Sequence, residues 1–236
     1  MIIFDMAVNN DQYVKDDRDV KNKLECINLS IYLSKKSRKM VGTRKFDEEA
    51  VLESAIDIFS KKGFNATTMP DLAKATGVQR GSLYNAYQSK NILFLKAFNH
   101  YTDKFLTLIE SELQNADVKK AFDHLLKTLV ERLCSDKEVK GCFSTRTIME
   151  ASQVCPDIHL CLVRFLDGLE LIMKNRLEQA IKEKQFSGDA QSTARYLVVL
   201  TRGIAVIERV YNDKERMTET YQTALAYMPF EKEAKR

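Results

Sequence analysis

From Asp47 onward apolar residues return every third or fourth position. Val51, Leu52, Ala55, Ile58 and Phe59 fall on one face, which predicts a helix. Asp47 is placed to cap it, Glu48 and Glu49 suit the positive end of its dipole, and Gly63 closes it. Thr67 or Thr68 then caps a second helix of barely two turns, with Pro70 in its first turn, Leu72 and Ala73 inward and a stop at Thr76 and Gly77. After Val78, "QRGSLYNAY" turns Leu83 and Ala86 inward as a third short helix. Ser89 caps a long fourth helix over 91–114, with Leu93, Phe94, Ala97, Phe98, Tyr101, Phe105 and Leu108 as its stripe. Further helical periodicity covers 118–134, 142–152, 156–184, 189–211 and 215–227.

Composition agrees with the periodicity. With eight Gly and three Pro in 236 residues, there is little turn chemistry for a β-rich fold, and the chain is long enough to bury a core without a cofactor or staple. The expected fold class is all-α. Residues 1–40 are polar and only weakly periodic, and read as a flexible N-terminal extension; Met40 opens a stretch that would itself begin a compact protein. Five cysteines without CxxC spacing point to a reducing cytoplasm. The longest apolar run, "YLVVLTRGIAVI", is broken by Arg202, so no membrane partner is expected. Scattered His residues, and the lack of a phosphate loop or a spaced nucleophile and base, argue against an enzyme, a metal site or a cofactor.

A net charge of +4 says little until its placement is considered: Lys35, Lys36, Arg38, Lys39, Arg44 and Lys45 crowd ahead of the first periodic segment. The segment that follows holds two short helices around a Gly-containing turn, the second rich in hydrogen-bonding side chains. That is a helix-turn-helix, whose second helix enters the DNA major groove. The stretch "AIDIFSKKGFNATTMPDLAKATGVQRGSLYNAYQSKNILF" resembles the DNA-binding domain of the TetR/AcrR family of transcriptional regulators, from about Arg44 to His100. It carries the family's order of Gly-aromatic, Thr-Thr, Ala-x-x-x-Gly-Val, Gly-Ser-Leu-Tyr and Ser-Lys. Asn85 and Ala86 depart from the aromatic or His residues that many members place after Leu-Tyr, so the operator is not transferable from a relative.

Chemistry and matching positions assign the expected contacts. Gln79, Arg80, Ser82 and Asn85 stand where they can read base edges, since Arg pairs with guanine and Gln or Asn with adenine. Thr68 suits a phosphate through its hydroxyl and backbone N–H, Tyr84, Tyr87 and Lys90 resemble the family's backbone clamps, and Arg44 adds salt-dependent attraction. The resemblance implies a three-helix head over 41–92 and a larger effector-binding and dimerising body over 93–236. It also implies a partner in double-stranded operator DNA and a small-molecule effector that releases a repressor.

For the body, Phe105, Ile109, Phe122, Leu126, Phe143, Met149 and Phe165 read position by position as packed core, with cavity lining as the other reading. The resemblance makes "GCFSTRTIMEAS" a cavity border, with Arg146 or Glu150 as polar anchor. The 189–211 helix carries Tyr196, Val199, Leu200, Gly203, Ile204 and Ile207, more apolar surface than one core face needs; this reads as a homodimer interface, or else as the body's central buried helix. Two alternatives stay open: a DNA-bound structural or cell-division factor without an effector, and a thiol sensor using Cys142, whose place at a helix start can lower a thiol pKa.

Overall fold

The computed structural model describes residues 46–135, 142–150 and 155–231, so the N-terminal extension and Arg44 lie outside the described residues. Among these, nine α-helices follow one another: α1 Glu48–Lys62, α2 Met69–Thr76, α3 Arg80–Tyr87, α4 Lys90–Glu112, α5 Val118–Cys134, α6 Phe143–Glu150, α7 Pro156–Lys182, α8 Ala190–Tyr211 and α9 Lys214–Tyr227. The periodicity located each of them.

Helix starts are set by local acceptors. Asp47 accepts from Glu49 N at 2.9 Å, Ser89 from Ile92 N at 3.3 Å, and Asp117, Asp189 and Asp213 cap α5, α8 and α9 in the same way. Each such cap is worth about 0.5–2 kcal/mol. Thr68, not Thr67, caps α2, in a reciprocal box with Asp71, while the buried Thr67 hydroxyl donates to Gly63 O at 2.6 Å. Gly77 ends α2 in the left-handed region at φ 67° and makes the turn into α3.

Two cores form. In the first, Leu52, Ala55 and Phe59 of α1 meet Leu72, Leu83, Tyr87 and the start of α4. This core does not stop at the head, because it takes in Phe143 of α6 and Ile158 and Leu162 of α7. Phe143 packs edge-on to Phe94, Phe98 and Tyr101, with ring centroids 5.6, 5.5 and 5.3 Å apart. In the second core α7 lies along α4 and α8, and α9 along α5, around Ile109, Phe122, Leu169, Met173 and Leu197. The chain's end is fastened there too: Phe230 bridges Phe186, with Glu231 N donating to Gln185 O at 2.8 Å.

Two cations serve as braces that periodicity does not reveal. The buried Arg176 donates to Leu113 O at 3.1 Å and Asn115 O at 2.8 Å, capping the carbonyl end of α4. Arg146 does the same for α1, donating to Ser60 O at 3.1 Å and Lys61 O at 2.9 Å. Beside it Glu150 receives Arg146 Nε at 2.6 Å and Phe64 N at 3.1 Å, so α6 grips the turn between α1 and α2.

Gly63 makes that grip possible. Its φ is 84°, and a Cβ there would meet Glu150 Oε2 at 2.0 Å. Gly63→Ala should therefore cost about 1–3 kcal/mol through strain alone, and more through the lost grip. Gly81→Ala, where nothing lies within 4 Å of the added Cβ, should leave stability unchanged or slightly raised. Thermal melts of the two variants compared with the parent check both statements.

Candidate nucleic-acid interface and cavity

Leu83 and Tyr87, both fully buried, anchor α3 and decide which side it presents. Gln79, Arg80, Tyr84 and Asn85 are exposed together and Ser82 is half-buried, so the base-reading set falls on or beside one face. Gln79 caps nothing with its side chain, and the Arg80 guanidinium lies 5.5 Å from the centre of the Tyr84 ring one turn on. Neither α3 nor its turn carries an acid. Asp71 is the one acid of α2, and Lys62 at 2.8 Å together with the Thr68 hydroxyl holds its carboxyl down to about 2. The surface is thus polar and cationic, as a polyanion requires.

The expected backbone clamps fare differently. Tyr84 is exposed, but Tyr87 is not: its ring is fully buried against the α4 start, which makes it a core residue and not a phosphate contact. Lys90 is drawn inward, donating to Phe64 O at 2.9 Å and lying 4.5 Å from the Phe64 ring centre, where burial pushes its pKa down. It braces the α1–α2 turn. The Thr68 hydroxyl and backbone N–H, both expected to serve a phosphate, already donate to Asp71 at 2.8 and 2.9 Å. Lys62, tied to that same carboxylate, is a cation at the α2 start that sequence reasoning passed over, because a basic last turn of α1 reads as ordinary dipole pairing.

A cavity of about 300 Å³ opens where head and body meet. Phe105, Leu126 and Phe143 line it as expected, joined by Tyr101, Val130, Cys142, Thr201 and Arg202. One wall belongs to α1, through Glu53, Ile56, Asp57 and Ser60, although the expectation confined the cavity to the body. Ile109 and Phe122 are fully buried in the second core and Phe165 backs Phe105 at 5.7 Å, so these three pack behind the cavity and do not line it. Met149 points outward at 74% exposure, and Arg146 and Glu150 are spent on the α1–α2 turn.

Charge inside the cavity is uneven. The Arg202 Nη1 donates to Ser144 Oγ at 2.8 Å and lies 3.6 Å from Cys142 Sγ. Burial pushes the Cys142 thiol up, but Arg202, Ser144 and Thr145 outweigh it and bring the value to about 7. Burial instead pushes Cys134 and Cys161 up. The Tyr101 phenol, 3.7 Å from Cys142 Sγ, is also pushed up by burial and stays neutral. Opposite, Glu53 pairs with Lys104 at 2.6 Å and His100 at 3.0 Å, and its carboxyl is lowered mainly by the Lys104 hydrogen bond. Glu49, Glu53 and His100 converge as metal ligands would, yet the Lys104 ammonium already supplies their cation.

On α8 the surface divides. Tyr196, Val199, Gly203 and Ile207 are exposed, and Val206, Val210 and Tyr211 extend their stripe. Ile204 is buried and lines the cavity, and Leu200 packs partly on the second core, so these two belong to the body's interior. On α7, Leu160, Val163 and Leu171 are exposed as well. Among the described residues no helix is long and apolar enough to cross a membrane.

Residues 51–97 match the model of the family described as bacterial regulatory proteins, tetR family. The HTH-type transcriptional regulator YezE of Bacillus subtilis, an uncharacterized protein, is 26% identical over 193 residues, covering 80% of this chain and 100% of that protein. The HTH-type transcriptional repressor ComR of Escherichia coli is 25% identical over 192 residues, covering 78% of this chain and 90% of its own. Among solved structures, the TetR family regulator CifR, as a cysteine mutant complexed with 26-bp operator DNA, shares the fold with a TM-score of 0.73 at 22% identity, covering 80% of this chain and 100% of that one. The helix-turn-helix match over residues 51–97, two regulators aligned along most of the chain and the common fold agree: the chain is a DNA-binding transcriptional regulator whose helix-turn-helix domain is of the tetR type.

Proposed function

We propose that this protein is a cytoplasmic, homodimeric repressor that leaves its operator when a small molecule fills the cavity beside α1. The observation that carries the reading is that the cavity has walls from both the head and the body, so an occupant touches the DNA-binding head directly. A two-fold dimer needs its recognition helices about 34 Å apart to enter successive major grooves. A ligand that favours another spacing by a few kcal/mol shifts the population off DNA. The relatives support the DNA-binding half of the proposal: ComR is named a repressor and CifR is held on operator DNA.

In this reading Gln79, Arg80, Ser82 and Asn85 read bases and Tyr84 contacts the backbone, while α7 and α8 supply the dimer contact. Gly203 supports that contact, since nothing lies within 4 Å of a Cβ built on it and no packing among the described residues calls for a glycine there. Leaving it in mid-helix costs about 1 kcal/mol against Ala, which a close partner helix explains.

Operator footprinting on DNA flanking the gene, followed by release on adding candidate effectors, tests the whole proposal; binding that no effector relieves would favour a structural DNA-bound factor. Arg80→Ala should cost about 1–3 kcal/mol on the matched operator and flatten the preference over mismatched ones, whereas Tyr84→Phe should weaken both alike. Titrations on matched and mismatched duplexes separate the two. Val199→Asp with Val210→Asp buries charge in the proposed interface, and sedimentation should then show monomers with much reduced operator affinity.

A further inference from the structure

The cavity between head and body holds a cation that no carboxylate of the described residues answers. Among the described residues the Arg202 guanidinium has no acidic partner; its Nη1 meets only the Ser144 hydroxyl and the Cys142 sulfur, and its Nε is buried without an acceptor. The other charged groups of the lining do not change this. Glu53 is engaged by Lys104 and His100, Asp57 pairs with Lys61 at 3.1 Å, and Arg132 adds a second positive charge from α5. The guanidinium carbon lies 5.9 Å from the Phe105 ring centre and 5.8 Å from that of Phe165, and Tyr101, Leu126 and Ile204 add flat and aliphatic surface to the cavity lining. A guanidinium taken from water needs an anion and planar acceptors to recover its hydration, and its fork matches a carboxylate bidentately.

We infer that the cavity binds a small organic monoanion, a carboxylate seated on Arg202 and carried by an apolar body of one or two rings that lies against Tyr101 and Phe105. A volume of about 300 Å³ suits a ligand of that size. Without ligand, Cys142 supplies the anion. As pH rises through about 7 its thiol ionises and neutralises Arg202, so ligand and thiolate compete for one guanidinium. Tyr101 stays neutral and Glu53 stays ionised across that range, leaving Cys142 as the competitor. Ligand affinity therefore falls as pH rises, and bound ligand in turn pushes the Cys142 thiol up.

The identity of the anion rests on the cavity's own chemistry; only its consequence for DNA rests on the repressor reading. The test is calorimetric titration of the full chain with 2-naphthoate and with its neutral isostere 2-naphthamide. The acid should bind about tenfold tighter or better, Arg202→Met should bring the two ligands level, and Arg202→Lys should keep part of the preference. Between about pH 6 and about pH 8.5 the acid should weaken several-fold in the parent and hold steady in Cys142→Ser. The inference is overturned if the amide binds as tightly as the acid, or if the preference survives in an Arg202→Met protein that melts normally. Should Arg202→Met fail to fold, the pH series on the parent and on Cys142→Ser decides in the same way. Naphthoate binding without operator release would contradict the repressor reading and leave this one standing, whereas release by the amide alone would do the reverse.

Discussion

Phe143 sits edge-on to three aromatic rings of α4, and further along the same helix Arg146 and Glu150 hold the end of α1 and the turn after it. The placement of the DNA-binding head depends on this joint. A head built from α1 and two helices of eight residues each has little interior of its own, and its core is completed by Phe143, Ile158 and Leu162 from beyond α4. The Arg146 guanidinium adds the polar part, saturating carbonyls at the α1 terminus that would otherwise be left to solvent.

The same short helix begins at the cavity. Cys142, Phe143 and Ser144 face Arg202 and Tyr101, while Arg146 and Glu150 face the head. Anything that reorients the first turn of α6 must act on the α1–α2 turn one helix length away, since eight residues of α-helix move as a rigid piece. From that turn the route to α3 is short: Thr68 and Asp71 fix the start of α2, Lys90 fastens the turn to α4, and Leu72 and Leu83 share one core. Surface pairs such as Lys104 with Glu49 and Glu53 join α1 to α4 as well, but exposed ion pairs contribute little and are screened by salt.

Much of this was legible in the chain. Helix positions follow from period 3.6 and from caps whose chemistry is local, so Asp47, Ser89, Asp189 and Gly77 announce themselves. The exposed set Gln79, Arg80, Tyr84 and Asn85 follows from Leu83 and Ala86 turning inward, whereas Tyr87, expected as a backbone clamp, is fully buried; a Tyr after a polar run looks amphipathic either way. Side chains whose partners lie far along the chain were not legible. Arg146 and Glu150 look like cavity anchors until the α1 terminus is seen beside them, 85 or 86 residues away in sequence. Arg202 interrupts an apolar run and so served only to exclude a membrane span, while its position opposite Cys142, 60 residues back, makes it the charged feature of the cavity. Ile204 and Val199 were indistinguishable by hydrophobicity, and only the packing of α8 on α7 sorts the interior residue from the exposed one.

The central claim is that α6 holds the head in its DNA-binding position. It is tested most directly by the operator affinity of a protein carrying Arg146→Met and Glu150→Met, with circular dichroism and sedimentation confirming that fold and assembly are retained. The account predicts a loss of operator affinity of about tenfold or more, within the usual range of coupling between sites, with helix content and oligomeric state unchanged. An affinity equal to the parent's, in a variant that keeps its fold, would contradict it.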